Sequence, residues 1–207
     1  MRYQEKLICV GDLQVNCVVL ADTLNEILFV IDPGEDAGDI ADAAEPYLGY
    51  KRKFILLTHA HVDHISAVGA VADLLNTSEI YLHPGDKSMY FSPDNHLLPY
   101  MPPANNLPNV QWPPAFKDLE VIACPGHSLG GAAYYFKEIG KAYVGDTIFR
   151  ESVGRTDFPG GDYDTLIHTI REKILTLPDS VILVPGHGPT TTVGYERMHN
   201  PYLISHG

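Results

Sequence analysis

Near the N-terminus the apolar positions fall in short, β-rich bursts: Lys6 to Val10, Val15 to Ala21 and Glu26 to Ile31 each read as a strand, divided by turn residues. Such a series predicts a meander of antiparallel strands, closed by Asp32-Pro33-Gly34. The spacing then changes. Ala37 to Leu48 carries apolar residues at helical intervals, Phe54 to Leu57 is a buried strand, and Ile65 to Leu75 returns to helical spacing. After Leu82 the pattern dissolves into "HPGDKSMYFSPDNHLLPYMPPANNLPNVQWPP", which holds eight of the chain's sixteen prolines. Proline removes a backbone donor and restricts the residue before it, so no long element is expected there. Beyond this crossing, Leu119 to Cys124, Ala132 to Phe136 and Ala142 to Gly145 resume the strands. Asp162 to Leu175 is an amphipathic helix, Val181 to Val184 a last strand, and Val193 to His199 a short C-terminal helix. No repeat or low-complexity tract is visible, but the order of elements is duplicated. Two β-rich halves, each backed by helices, predict sheet packed on sheet with helices outside.

The strand ends carry the chemistry. "ILLTHAHVDH" takes an apolar strand into His59, His61, Asp63 and His64; "LEVIACPGH" ends in His127, "KAYVGD" in Asp146 and "VILVPGH" in His187. Each is a strand, a small or turn residue, then a metal-type ligand. If these ends gather on one rim, as ligand sites on sheets do, the side chains converge. Imidazole and carboxylate without thiolate suit Zn²⁺, Mn²⁺ or Fe²⁺. His59 and His61, two apart on an extended segment, can reach one ion while Asp63 and His64 turn toward a second; His127 would complete the first site and His187 the second. Asp146 has two oxygens to bridge the ions. That count leaves an open position, which a purely structural zinc site would close. His83, His96, His168, His199 and His206 fit no slot and read as surface or packing residues.

Composition narrows the picture. With 26 Asp plus Glu against 14 Lys plus Arg there is no basic stripe to neutralise phosphates, so nucleic acid is not an expected partner. The N-terminus meets Glu5 and Lys6 before any apolar run, unlike a secretory signal, and no stretch is long enough for a membrane span. The cytoplasm is the expected compartment. Cys9, Cys17 and Cys124 are odd in number, widely spaced and without a CxxC pair, so they read as reduced core thiols.

"THAHVDH", "PGH" at His127, "GD" at Asp146 and "PGH" at His187 resemble the motif set of the metallo-β-lactamase superfamily, in order and spacing, over nearly the whole chain. The resemblance implies an αββα sandwich, two mixed sheets face to face with helices on the outer faces, as one domain over residues 1–207. It implies that His59, His61 and His127 bind one metal, Asp63, His64 and His187 the other, and that Asp146 bridges. "VGDTIFRESVGRTDFPGGD", "VPGHGPTTTVGYERMHNPYL", "NCVVL" at Asn16 and "DPG" at Asp32 are similar to glyoxalase II-like hydrolases, especially their short branch without a C-terminal glutathione-binding helical domain. These cleave thioesters such as lactoylglutathione.

The expected reaction is therefore thioester hydrolysis. Two divalent ions, Zn²⁺ first and Fe²⁺ or Mn²⁺ as alternatives, would lower the pKa of a shared water and polarise the carbonyl, and hydroxide attack would expel a thiolate. Asp63 and Asp146 are the catalytic carboxylates, Asp63 orienting the water as well as ligating. Rival readings are a persulfide dioxygenase with a single iron, which shares "GRTDF"; a lactonase or β-lactamase; and a non-catalytic metal-holding module. Asp32 is open to two readings, a hydrogen-bond acceptor for a ligand histidine or an Asx turn before Pro33. Arg155 and Asp157 read as an ion pair under the loop after Asp146, and Glu196 as helix surface or a cap partner. In the proline-rich crossing, Tyr90, Tyr100, Met101 and Trp112 either wall the pocket as a lid, make the subunit contact of a homodimer, or pack as an ordered connector.

Overall fold

The computed structural model describes residues 1–204, so the reading of His206 lies outside the described residues. The chain divides into two units, one over Met1–Pro113 and the other from Pro114 onward. In the first, β1 (Tyr3–Val10), β2 (Val15–Asp22) and β3 (Ile27–Ile31) are followed by α1 (Ala37–Ala44), β4 (Arg52–Leu56), α2 (Val62–Ile65), α3 (Val68–Leu75), β5 (Ile80–Tyr81) and α4 (Lys87–Tyr90). They form a five-stranded sheet in the order β1-β2-β3-β4-β5. The expected meander is there, β1, β2 and β3 being antiparallel neighbours, while β4 and β5 add in parallel to β3. Three parallel strands must end on the same rim, and Asp32, the histidine-rich segment and the His83 to Asp86 turn follow β3, β4 and β5 in that order.

One face of this sheet packs Val19, Leu28, Val30 and Ile55 against Ile40 of α1 and Val68, Val71 and Leu75 of α3. On the alternate positions Leu20, Phe29, Ile31 and Leu56 are just as buried. With both faces withdrawn from water, β3 and β4 read as unbroken apolar runs instead of alternating ones.

The second unit contains β6 (Leu119–Ala123), β7 (Ala132–Phe136), β8 (Lys141–Gly145), the short pair β9 (Ile148–Phe149) and β10 (Ser152–Val153), α5 (Tyr163–Thr169), β11 (Ile182–Pro185), β12 (Thr191–Thr192) and α6 (Val193–His199). Its main sheet has the order β12-β11-β8-β7-β6. β7 is antiparallel to both β6 and β8, and β11 is parallel to β8, so β6, β8 and β11 run the same way. Tyr135, Ala142, Val144 and Leu183 pack with Leu166, Ile170 and Val193 of the helical layer. The chain thus has two mixed five-stranded sheets with helices, as its pattern predicts.

Helix ends depart from expectation, each for a backbone reason. The helix expected to reach Leu48 stops at Ala44 and tightens to a 3-10 turn over Glu45–Tyr47, where Pro46 has no amide to give. The helix expected from Ile65 to Leu75 starts earlier, at Val62, and breaks at Ala67, whose amide goes to the carbonyls of Pro33 and Gly34. The expected Asp162 to Leu175 helix turns into a π-helix over Ile170–Ile174, the Leu175 amide reaching back to the Ile170 carbonyl at 2.8 Å.

The proline-rich crossing has the contacts of a connector packed on its own unit. Tyr90 is fully buried in the first core, and the buried Asn95 side chain bonds the carbonyls of Tyr90 and Ala104 and the Ala104 amide. Gln111 pairs through its backbone with Ile80 and Leu82. Tyr100, by contrast, is 77% exposed. Cys17 and Cys124 are core thiols as expected, and burial pushes the Cys124 thiol up to about 12. Cys9 corrects the expectation: it lies on β1, the thinly covered edge strand, and is exposed. Among the described residues no helix is long and apolar enough to cross a membrane.

Candidate metal centre

The first cluster is built by one strand end. As the chain leaves β4 it stays extended through His61, which caps α2, so Asp63 and His64 fall in the helix's first turn. An extended segment folding into a helix turns four potential ligands inward within six residues. The ring centroids of His59 and His61 lie 4.9 Å apart, those of His59 and His64 4.1 Å, and His64 Nε2 is 3.7 Å from Asp63 Oδ2. All four residues are buried, none more than 4% exposed. Polar groups of this kind are withdrawn from water only at a cost that bonding partners or a cation must offset.

Asp32 sets the state of two of these rings. It sits just past β3 with φ near 50°, a left-handed conformation uncommon for a non-glycine residue, and is itself buried. Its Oδ1 accepts the Thr58 amide at 2.7 Å; its Oδ2 accepts the Thr58 hydroxyl at 2.6 Å and pairs with His64 Nδ1 at 3.0 Å. Because the single Thr58 proton goes to Asp32, the hydroxyl can only accept from His59 Nδ1, 3.0 Å away. Both rings therefore hold their proton on Nδ1, leaving each Nε2 lone pair to a cation. Of the two sequence readings of Asp32, the structure supports the orienting carboxylate. Although Asp32 lies among donor atoms of His59 and His64 within 4.8 Å of one another, its oxygens are already engaged, which makes it a positioning residue.

Two further groups brace the segment. Gly34 passes so close to the Asp63 carbonyl oxygen that a Cβ would lie 1.7 Å from it, so only glycine fits there. Asp86, buried at the end of the β5 turn, accepts the Ala60 amide at 3.1 Å. Nothing in the local pattern marks Asp86, since it sits among prolines with no periodicity to give it a face; Thr58 stands in plain view in "THAHVDH", but its role depends on Asp32, 26 residues earlier.

In the second unit the parallel run of β6, β8 and β11 brings three strand ends to one rim, with His127, Asp146 and His187 beyond them. The Gly186 amide bonds the Gly145 carbonyl at 2.9 Å, fastening the β8 and β11 ends side by side. Asp146 Oδ2 is 3.8 Å from His127 Nε2 and 3.6 Å from His187 Nε2. These are too long for hydrogen bonds, yet near the roughly 3.3–3.6 Å between ligand atoms at about 2.0–2.2 Å from a shared tetrahedral cation. His127 Nδ1 lies 2.7 Å from the Arg155 carbonyl and must be its protonated nitrogen, again leaving Nε2 as the lone pair. Gly154 repeats the close approach of Gly34: a Cβ there would lie 1.9 Å from the Asp146 carbonyl oxygen.

His187 and Asp146 retain side-chain exposures of 28% and 14%, and they open into a hollow of about 480 Å³. The donor sets of both clusters, imidazole and carboxylate, with the His59, His64 and His127 rings oriented through Nδ1, fit divalent cations of the zinc or iron type. The chain therefore has two candidate His/Asp metal clusters, one in each unit.

The Arg155 and Asp157 pair exists, at 2.6 Å, but it is exposed, not tucked beneath the loop, and the Arg155 guanidinium also lies over the Phe158 ring. Glu196 is fully buried and not helix surface: it accepts the Glu151 amide, the Thr191 hydroxyl and the Asn200 side chain. Its helical position is uninformative because the groups it satisfies come from three separate segments. His83 caps the turn at Pro84 and meets the Trp112 ring edge-on; His96, His168 and His199 show the surface or packing character expected of them.

The chain belongs to the metallo-β-lactamase superfamily, whose family pattern matches residues 10–187. It is a metal-dependent hydrolase with the fold of that superfamily. It is 33% identical to the hydroxyacylglutathione hydrolase GloC of Haemophilus influenzae, over 97% of this chain and 98% of that one. Among solved structures, it is similar to the B3 metallo-β-lactamase BLEG-1, with 35% identity, a TM-score of 0.87 and coverage of 98% and 100%, and to TTHA1623 in a di-iron-bound form, with 34% identity, a TM-score of 0.83 and coverage of 96% and 100%.

Proposed function

We propose that this chain is a two-metal thioester hydrolase acting on a small hydroxyacyl thioester of the glutathione type. The similarity along nearly the full length of both chains to a hydroxyacylglutathione hydrolase supports the substrate class. The placement of Asp146 between His127 and His187 supports the metal chemistry. In this reading His59, His61, Asp63, His64, His127, Asp146 and His187 would supply the ligands of two divalent cations. Such a pair, when bound, ionises a water near neutral pH and polarises the substrate carbonyl. The protein's part is orientation. Asp32 and Thr58 hold two imidazoles by Nδ1, the Arg155 carbonyl holds a third, and Asp63 would orient the attacking water as well as ligate. The departing thiolate is stable enough to need no protonation by a side chain.

Elemental analysis of the purified chain beside a thioester panel that includes S-D-lactoylglutathione tests the proposal. Two metals per chain and chelator-sensitive thioester turnover are the expected result. One iron per chain with oxygen uptake on glutathione persulfide would replace it with the dioxygenase reading. The 35% identity to a protein named as a B3 metallo-β-lactamase supports a second reading, hydrolysis of a cyclic amide. Turnover of nitrocefin with an inert thioester panel would favour that one.

A further inference from the structure

The hollow beside Asp146 and His187 has an apolar wall of Phe149, Val153 and Pro189, and a cationic edge at Arg150 and Arg155. The chain has 14 Lys plus Arg against 26 Asp plus Glu, so two arginines on the rim of one hollow run against its overall charge. They are not equivalent. Both Nε and a terminal nitrogen of Arg155 bond the Asp157 carboxylate, at 2.7 and 2.6 Å, so its charge is already met. Arg150 lies over the Tyr195 ring, 4.7 Å from its centroid, and no carboxylate pairs with it among the described residues. A guanidinium stacked on a ring keeps its edge donors for a ligand, and that edge matches a carboxylate in two-point geometry.

Arg150 is also presented rigidly. With Phe149 opposite Ser152 and Ile148 opposite Val153, Arg150 and Glu151 form a two-residue turn between β9 and β10. The turn is fastened from beneath. Glu196 accepts the Glu151 amide at 2.9 Å, Asn200 donates to the Ser152 carbonyl at 2.9 Å, and the Tyr195 hydroxyl bonds the Glu151 carboxylate. The ring under Arg150 is thus held by the residue next to Arg150 in the chain. A cation pre-organised in this way, next to candidate metal ligands, is suited to fixing one end of a substrate.

We propose that Arg150 is a specificity residue that binds a carboxylate on the thiol carrier, making the substrate an anionic thioester with a carrier of small-peptide size. This rests on the thioester reading above. A hollow of about 480 Å³ falls within the range of small-molecule sites, and the carboxylate would meet Arg150 while the scissile carbonyl lies at Asp146 and His187.

The metal-loaded full chain, as wild type, R150Q and R150K, is assayed on S-D-lactoylglutathione and on its dimethyl ester, in which both carboxylates are masked. The wild type is expected to favour the free acid by about tenfold or more in kcat/KM, the contribution of a charged hydrogen bond. R150Q should erase that preference through KM, with R150K retaining part of it and raised salt weakening it in the wild type. Equal preference in wild type and R150Q overturns the role of Arg150 while leaving thioester hydrolysis standing. If the wild type cleaves neither compound, the thioester reading fails and this inference fails with it.

Discussion

The two units reach similar chemistry by opposite routes. In the first, four candidate ligands lie within six residues after a single strand, and one distant carboxylate, Asp32, governs the rings from behind through its side chain. In the second, the candidate ligands lie at three strand ends up to 60 residues apart, His127 to His187, and a main-chain carbonyl orients His127. A ligand set written locally survives changes in topology but needs a side chain to fix its tautomers. In the set assembled at strand ends, the His127 ring is oriented by a loop carbonyl, that of Arg155. The glycine contacts are what the two share: Gly34 and Gly154 each press against the carbonyl of a candidate ligand aspartate.

The largest expected effect tests the assembled cluster. Asp146→Ala removes the carboxylate between two histidines and should lower both metal content and hydrolysis, the latter by about a thousandfold, well beyond the loss expected for an orienting group. Full metal-dependent turnover by this variant would reject the assignment of Asp146. Next comes the contrast in orientation. Asp32→Ala removes the acceptor of the His64 Nδ1 proton and of the Thr58 hydroxyl that faces His59, and should weaken metal affinity by about 10–100-fold in a chelator competition. Arg155→Ala leaves the carbonyl that holds His127 in place and should move the same titration far less. Equal losses would mean that side-chain and backbone orientation do not differ as argued.

The glycines give the symmetric test. Gly34→Ala and Gly154→Ala each introduce a Cβ under 2 Å from a carbonyl oxygen, at 1.7 and 1.9 Å, and each should destabilise the protein by about 1–3 kcal/mol in denaturant melts. A loss in only one variant would show that one of the two segments can move aside.

Legibility follows the same division. "THAHVDH" is readable because its side chains need no fold to be neighbours, whereas His127, Asp146 and His187 were readable only through the recurring strand, turn, ligand order. The sheets were readable as apolar bursts, and the antiparallel meander of β1 to β3 followed from short turns. Asp32 is open to two readings in the sequence because an aspartate before Pro33 satisfies a turn as well as a hydrogen-bond network. Glu196 and Asp86 were hidden for a shared reason: a buried carboxylate is identified by the amides and hydroxyls that converge on it, here from Glu151, Thr191 and Asn200 or from Ala60, and no spacing rule carries that.

The smallest effects concern carboxylates paired outside the clusters, and they again set the units apart. In the first, burial works to raise the Asp22 pKa, but bonds from Arg2 and Asn25 outweigh it and leave the carboxyl below its usual range. In the second, Arg155 draws the exposed Asp157 down to about 2. Both folded-state values are depressed, so any stability they supply is present above the ordinary carboxylate pKa and lost as pH falls through the folded value. The buried Asp22 is the one that should register: Arg2→Met is expected to cost about 1–2 kcal/mol at pH 7, by removing hydrogen bonds to a charged group, and the gap to wild type should close below about pH 4. Asp157→Asn, at a solvated pair, should leave the thermal melt unchanged at either pH. A pH-dependent loss confined to Asp157→Asn would reverse that ordering, because burial would then not decide which ion pair contributes to stability.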